Sequence, residues 1–251
     1  MFKLAESRGI SVITLQHGKA NALDTEFCNG LAEEFDKLAK SKARAVVVTG
    51  EGKIFSAGVD LLRATSSGPD YFKGFLPALE RLYTSAFFFP KPFVAAVNGH
   101  AAAGGCILAG CADWRLMAEG TGKIGVTELL VGVSFPPLAF EIMRFCAAHK
   151  FFPEVVYTGT TYPPDEAQRR GLVDEVVPAD QLLEKSIAAA ERLAALRPAA
   201  FALTKQQMRQ TVADALQKHG ARVSKAAAEL WLDPETLKSM SDYVSRTFKK
   251  G

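Results

Sequence analysis

No Cys-x-x-Cys pair and no two histidines at ligand spacing occur in the 251 residues, so the pattern of a zinc site is missing. The four cysteines, Cys28, Cys106, Cys111 and Cys146, stand in apolar surroundings and are expected to be buried thiols in a reducing compartment. Long hydrophobic runs are absent too. None reaches the roughly 18 residues of a membrane span, and the N-terminus carries no basic-then-apolar leader, which together point to a cytoplasmic protein that no membrane holds. Charge of one sign is equally scarce: 30 Lys and Arg against 27 Asp and Glu leave +3, too little for a nucleic-acid footprint. The basic C-terminal residues Arg246, Lys249 and Lys250 read as a solvated tail. What is present is an ordinary soluble composition, 48% hydrophobic and 23% charged, in a chain long enough to bury a large core.

Strand and helix patterns alternate up to about residue 178, and helical patterns alone follow, so the fold class is α/β with a helical C-terminal region. Strands are predicted at Ile10–Leu15, Ala45–Val48, Phe93–Val97, Asp113–Ala118 and Val173–Val177. Phe27, Leu31, Phe35 and Leu38 predict a helix over about Thr25–Ala39, and a second apolar stripe predicts one over Tyr71–Phe88. Pro136-Pro137 opens a further helix to about Ala148, and Pro164–Arg170 is a short one. Beyond Ala179, Pro198, Gly220 and Pro234 are expected to break the helices. The polar stretch Arg63–Asp70, with Ser66-Ser67-Gly68-Pro69, is expected to be a mobile loop. No short repeat is visible.

Two segments far apart in sequence look alike. Phe55–Asp60 and Gly99–Cys106 each place small residues directly after a strand, where backbone N–H groups can point into a shared cleft. At Gly104 and Gly105 no Cβ prevents close approach. Two such N–H donors make an oxyanion hole, which serves an enolate or a tetrahedral intermediate. The same glycines also suit plain helix-on-sheet packing. Glu128, among Val126, Leu129 and Leu130, is expected to be partly desolvated, which raises its pKa and improves it as a base near neutral pH.

Phe55-Ser56-Ala57-Gly58-Val59-Asp60-Leu61, Ala96-Val97-Asn98-Gly99-His100-Ala101-Ala102-Ala103-Gly104-Gly105-Cys106, Thr158-Gly159 through Glu166-Ala167, Gly171-Leu172-Val173 and Val176-Val177-Pro178 together resemble the enoyl-CoA hydratase/isomerase (crotonase) superfamily over nearly the whole chain. The resemblance implies a crotonase-like spiral of ββα repeats over residues 1–195, holding an acyl-CoA site. It implies a C-terminal helical region, residues 196–251, used in oligomerisation as a homotrimer or a dimer of trimers. It further implies an acyl-CoA thioester whose carbonyl oxygen is held by the N–H groups of Val59 and Gly104, with Lys19, Ala20, Ala57 and Leu61 along the CoA. CoA is then part of the substrate, and no metal or redox cofactor is implied.

The departures from the family pattern narrow the reaction. Hydratases of this family use two glutamates; the first would fall on Ile107, which cannot move a proton, and the second on Glu128. Moving a double bond needs one base, so the pattern favours Δ3,Δ2-enoyl-CoA isomerisation over hydration. Phe135-Pro136-Pro137 stands where relatives carry Pro-Gly, which should reshape the acyl end of the pocket. Rival expectations are hydration, thioester or carbon–carbon hydrolysis with water on Glu128 or Glu141, a non-catalytic acyl-CoA-binding subunit, and RNA binding. Asp60 is expected to cap or turn the chain, Asp113 to be a structural partner at the start of a strand, and His100 to be structural. Glu141 is expected on the exposed or N-terminal part of its helix, and Phe248 and Lys249 are candidates to touch CoA from a neighbouring subunit.

Overall fold

The computed structural model describes residues 1–248, and the side chains of residues 1–247. Strands β1 (Phe2–Ser7) and β2 (Ile10–Leu15) lead into helix α1 (Thr25–Lys40). Next come β3 (Ala45–Gly50), β4 (Ile54–Ser56), α2 (Leu61–Ser67) and α3 (Asp70–Phe87), then β5 (Phe93–Val97), β6 (His100–Ala102) and α4 (Gly104–Gly110). The third round is β7 (Trp114–Ala118), β8 (Ile124–Gly125) and α5 (Glu128–Val131). The chain continues through α6 (Pro137–Cys146), α7 (Phe152–Thr158), α8 (Pro164–Arg169), β9 (Glu175–Val177) and α9 (Leu182–Ala194). Helices α10 (Pro198–Ala215), α11 (Ala221–Leu232) and α12 (Pro234–Phe248) close it.

Two sheets result. The larger has the order β1-β2-β3-β5-β7-β9 and the smaller β4-β6-β8. Three times in succession one strand joins the larger sheet, the next joins the smaller, and a helix follows. This is the ββα spiral. The pairings are parallel except β1 with β2. Parallel sheets need cover on both faces, and the period of two supplies it. Val46, Val48, Phe93, Ala95 and Val97 face one core with α1, α3 and α4, whereas Ala45, Val47, Val94 and Ala96 face a second with Leu182, Ile187 and Ala190 of α9.

Helix α1 forms as its spacing predicts. Asp24 caps it, accepting from the Phe27 N–H at 2.8 Å, and Phe27, Leu31, Phe35 and Leu38 are buried. Each such side chain contributes about 1.5–3 kcal/mol, and Phe35 also meets Phe89 and Phe93 edge-on. All four cysteines are free thiols; Cys28, Cys106 and Cys111 are buried and Cys146 partly so, and burial pushes each thiol's pKa up. Asp113 ties the sheet to the C-terminal helices. Its carboxylate accepts from the Phe93 N–H at 2.8 Å, from Lys205 Nζ at 2.7 Å and from Arg209 at 2.8 Å.

Two expectations are corrected, and one strand was not foreseen. Arg63–Asp70 is not a loop: α2 fills most of it, because Asp60 accepts from the Arg63 N–H at 2.9 Å and Ala64 is buried. Arg63 also pairs with Glu26 and Asp24, and the Thr65 and Ser66 hydroxyls bond back to carbonyls of their own helix. Only Gly68-Pro69 remains as a turn. Gly220 does not break its helix; it adopts helical angles (φ −54°, ψ −51°) and ends a π-helical stretch, Leu216–Gly220, that carries α10 into α11. Strand β1, mostly exposed, lies on the sheet edge without the alternation that would have marked it. Among the described residues, no helix is long and apolar enough to cross a membrane.

Candidate active site

A cavity of about 430 Å³ opens where the two look-alike segments meet, with Val59, Gly104 and Glu128 on its wall. The segment after β4 is held by a parallel bridge between Leu23 and Val59. Its bonds run from the Leu23 N–H to Gly58 O (2.7 Å) and from the Asp60 N–H to Leu23 O (3.0 Å). In a parallel bridge built this way, the N–H of the residue between the two bonded groups points away from its partner strand. The Val59 N–H is therefore left for the cavity.

The segment after β6 comes against it. A Cβ on Gly58 would lie 2.6 Å from Ala102 O and 2.9 Å from Gly104 N, so the two backbones touch at a point only glycine allows, and Gly58 adopts φ +81° besides. A Cβ on Gly105 would lie 2.2 Å from Ser56 O, so β4 packs directly on the start of α4. Ala103 holds a positive φ of 48°, a conformation costing a residue with a Cβ about 1–3 kcal/mol and stored at functional sites. Gly104 then opens α4, where N–H groups have no intrahelical acceptor. The buried Tyr83 hydroxyl donates to Gly104 O at 3.1 Å, on the peptide that follows, and so anchors the first turn of α4. We predict that Gly58→Ala lowers turnover by about 100-fold, the scale of losing one oxyanion donor, while the protein stays folded by circular dichroism. Retention of more than a third of wild-type kcat would overturn this.

Glu128 begins α5 immediately after β8 and is 7% exposed. Its Oε2 has no hydrogen-bond partner among the described residues. Burial pushes its pKa up from 4.5 to about 7, against a smaller opposing pull from its own and the Thr127 N–H groups. The peptides of Val59 and Gly104 and a desolvated carboxylate border one apolar cavity. Such a set can hold a developing oxyanion while taking or giving a proton.

The other expected residues divide. Ala20, Ala57, Leu61 and Ile107 line the cavity. Lys19 is exposed and off its wall. Asp60 lines it and caps α2 through Oδ1. Glu141 lies off the wall, paired with Arg144 at 3.3 Å, and His100 is exposed at the start of β6. The contact expected of the Phe248 side chain and Lys249 lies outside the described residues. Tyr83, Trp231 and Tyr243 are wall residues that sequence reasoning missed as such. Tyr83 reads as one more apolar position on the α3 stripe. Trp231 and Tyr243 come from C-terminal helices with no local signal of where they dock.

The ββα spiral with its helical C-terminal region is the crotonase fold. The backbone superposes on that of the human mitochondrial Δ3,Δ2-enoyl-CoA isomerase with a TM-score of 0.93, at 26% identity, covering 99% of this chain and 98% of that one. The family model described as enoyl-CoA hydratase/isomerase matches residues 5–247, and the chain belongs to that family of enzymes. Mitochondrial enoyl-CoA delta isomerase 1 of Mus musculus is 35% identical over 217 residues, 84% of this chain and 74% of that protein. A putative enoyl-CoA hydratase of Thermus thermophilus is 36% identical over 192 residues, 75% of each.

Proposed function

We propose that this enzyme is a Δ3,Δ2-enoyl-CoA isomerase. The observation that carries the proposal is the acid inventory of the cavity: Glu128 Oε2 has no partner among the described residues, Asp60 caps its helix through Oδ1, and Ile107 stands where a second carboxylate would be needed to orient water. The Glu128 carboxylate takes a proton from C2 of a 3-enoyl thioester. The electron pair moves onto the thioester oxygen, held by the Val59 and Gly104 N–H groups, to form a dienolate. As the carbonyl re-forms, the double bond settles between C2 and C3, and the same carboxyl returns the proton to C4. Ala20, Ala57 and Leu61 line the path of the CoA chain, and Lys19 stands beside it for the phosphates. The chemistry is complete with the thioester and these residues, so the proposal includes neither metal nor redox cofactor.

The same proposal includes a homotrimer or dimer of trimers, supported by Leu196, Leu203 and Met208, which leave large apolar side chains exposed around α10. A cytoplasmic location is part of it, supported by the four free thiols.

Product analysis tests the reaction. Incubation with a 3-enoyl-CoA should give the 2-enoyl isomer, and a 2-enoyl-CoA in water should remain unhydrated. A 3-hydroxyacyl-CoA would establish hydration, the activity for which the Thermus relative is named, and free CoA would establish hydrolysis. The pH profile tests the base. Because the ionised carboxylate accepts the proton, kcat/KM should rise with pH through an apparent pKa near 7 and be lost below it. A profile flat between pH ~5 and ~8 would remove Glu128 from that role.

A further inference from the structure

A second cavity, about 360 Å³ and opening to solvent, lies beside the first, and the two share just two wall residues, Pro136 and Trp231. Helix α3 orders them in space. Tyr83 and Leu79 line the first cavity, Leu76 and Phe72 the second, and Tyr83 is bonded to the Gly104 peptide. Phe72 and Tyr83 stand eleven positions apart on this helix, about 16 Å at 1.5 Å per residue, so the helix runs from the reaction centre past Trp231 to the outer cavity. The Trp231 indole is 2% exposed and held at two points. Its N–H donates to Ser134 O at 2.9 Å, and the Phe72 ring meets it edge-on at 5.4 Å. Ser134 belongs to the stretch before Pro136-Pro137, so the double proline and the indole form one partition.

We propose that Trp231 sets the length of acyl chain the site accepts. The indole is the end wall of the acyl tunnel. Chains that end short of it bury their methylenes against Leu79, Val133 and Ala139, and longer chains meet a side chain locked in place. Beyond the wall lies the second cavity: Phe72, Leu76, Ala227 and Leu232 give it an apolar side, with Lys73, Glu80 and Ser224 also on its wall, and a smaller residue at 231 would join it to the site. The proposal rests on the acyl-CoA assignment of the cavity and not on which reaction follows.

The test uses saturated acyl-CoAs, which bind without turnover. Hexanoyl-, decanoyl- and hexadecanoyl-CoA are titrated calorimetrically into the wild-type protein, Trp231→Leu and Trp231→Phe, with free CoA as reference. In wild type, affinity should rise from free CoA to hexanoyl-CoA and fall for hexadecanoyl-CoA. Trp231→Leu should raise the hexadecanoyl-to-hexanoyl affinity ratio by tenfold or more, the scale of a few methylenes gaining or losing an apolar pocket. Trp231→Phe keeps an aromatic wall and guards against misfolding; it should move the ratio in the same direction by less. Equal changes for all three chains in both variants would show that the indole only supports the fold, and would overturn the proposal. Acyl-CoAs binding no tighter than free CoA in wild type would instead overturn the acyl-CoA assignment, and with it the role of Trp231.

Discussion

Replacing Glu128 by Gln should reduce conversion of a 3-enoyl-CoA to its 2-enoyl isomer by about 10³–10⁴-fold, equivalent to about 4–5 kcal/mol of barrier. The amide has the carboxylate's shape but cannot carry a proton from C2 to C4. Steady-state kinetics on the purified variant measure this, and KM should change little because the oxyanion donors belong to the backbone. A loss smaller than tenfold would show that another group moves the proton. Stability should move the other way. A carboxyl whose pKa is raised on folding, from 4.5 to about 7, binds its proton more tightly folded than unfolded. It therefore costs stability progressively as pH rises across that interval, by about 3 kcal/mol once fully ionised. Glu128→Gln should accordingly be more stable than wild type to urea at pH ~8 and no more stable near pH ~4. An enzyme that keeps a destabilising buried carboxylate places function above stability at that position.

Asp113→Ala should be the most damaging single change outside the cavity, destabilising the fold by about 3–5 kcal/mol. The cause is less the loss of attraction than what is left behind. Lys205 and Arg209 are 5% and 3% exposed, and their charges would stay buried with carbonyl oxygens and the faces of phenylalanine rings but no anion to pair with. Burial already presses the Lys205 amine down to about 8 with Asp113 in place. The Phe93 N–H at the start of β5 would lose its acceptor as well. Urea unfolding measures the effect, and adding Lys205→Met and Arg209→Met to Asp113→Ala should recover much of it, since no unpaired charge remains. A cost below about 1 kcal/mol for Asp113→Ala alone would mean that water reaches these cations and that α10 is held by apolar contact.

Much of the framework was legible in one dimension because its causes are local. The stripe from Phe27 to Leu38 has helical period whatever surrounds it, and Asp24 caps it from three residues away. The runs Ala45–Val48 and Phe93–Val97 can only be buried strands. Glu128 stood out as an acid among apolar neighbours, and the small-residue motifs around Val59 and Gly104 carried the family resemblance. Reading failed where a partner was remote. The 63–70 stretch has loop composition, yet Asp60 just before it and the remote Glu26 and Asp24 hold it helical. Gly220 has the propensity of a break, but neighbouring helices hold it in helical geometry.

By itself, then, the sequence determined the elements, the family and the one acid suited to be a base, because periodicity, capping and side-chain ionisation are properties of short stretches. Only the tertiary structure decided that Gly58 abuts the Gly104 N–H, that Tyr83 anchors the next peptide along and that Trp231 stands between the two cavities. Each of those depends on backbones brought together from positions between about 20 and 130 residues apart, where the close approach is dictated by packing between layers and leaves no trace in local pattern.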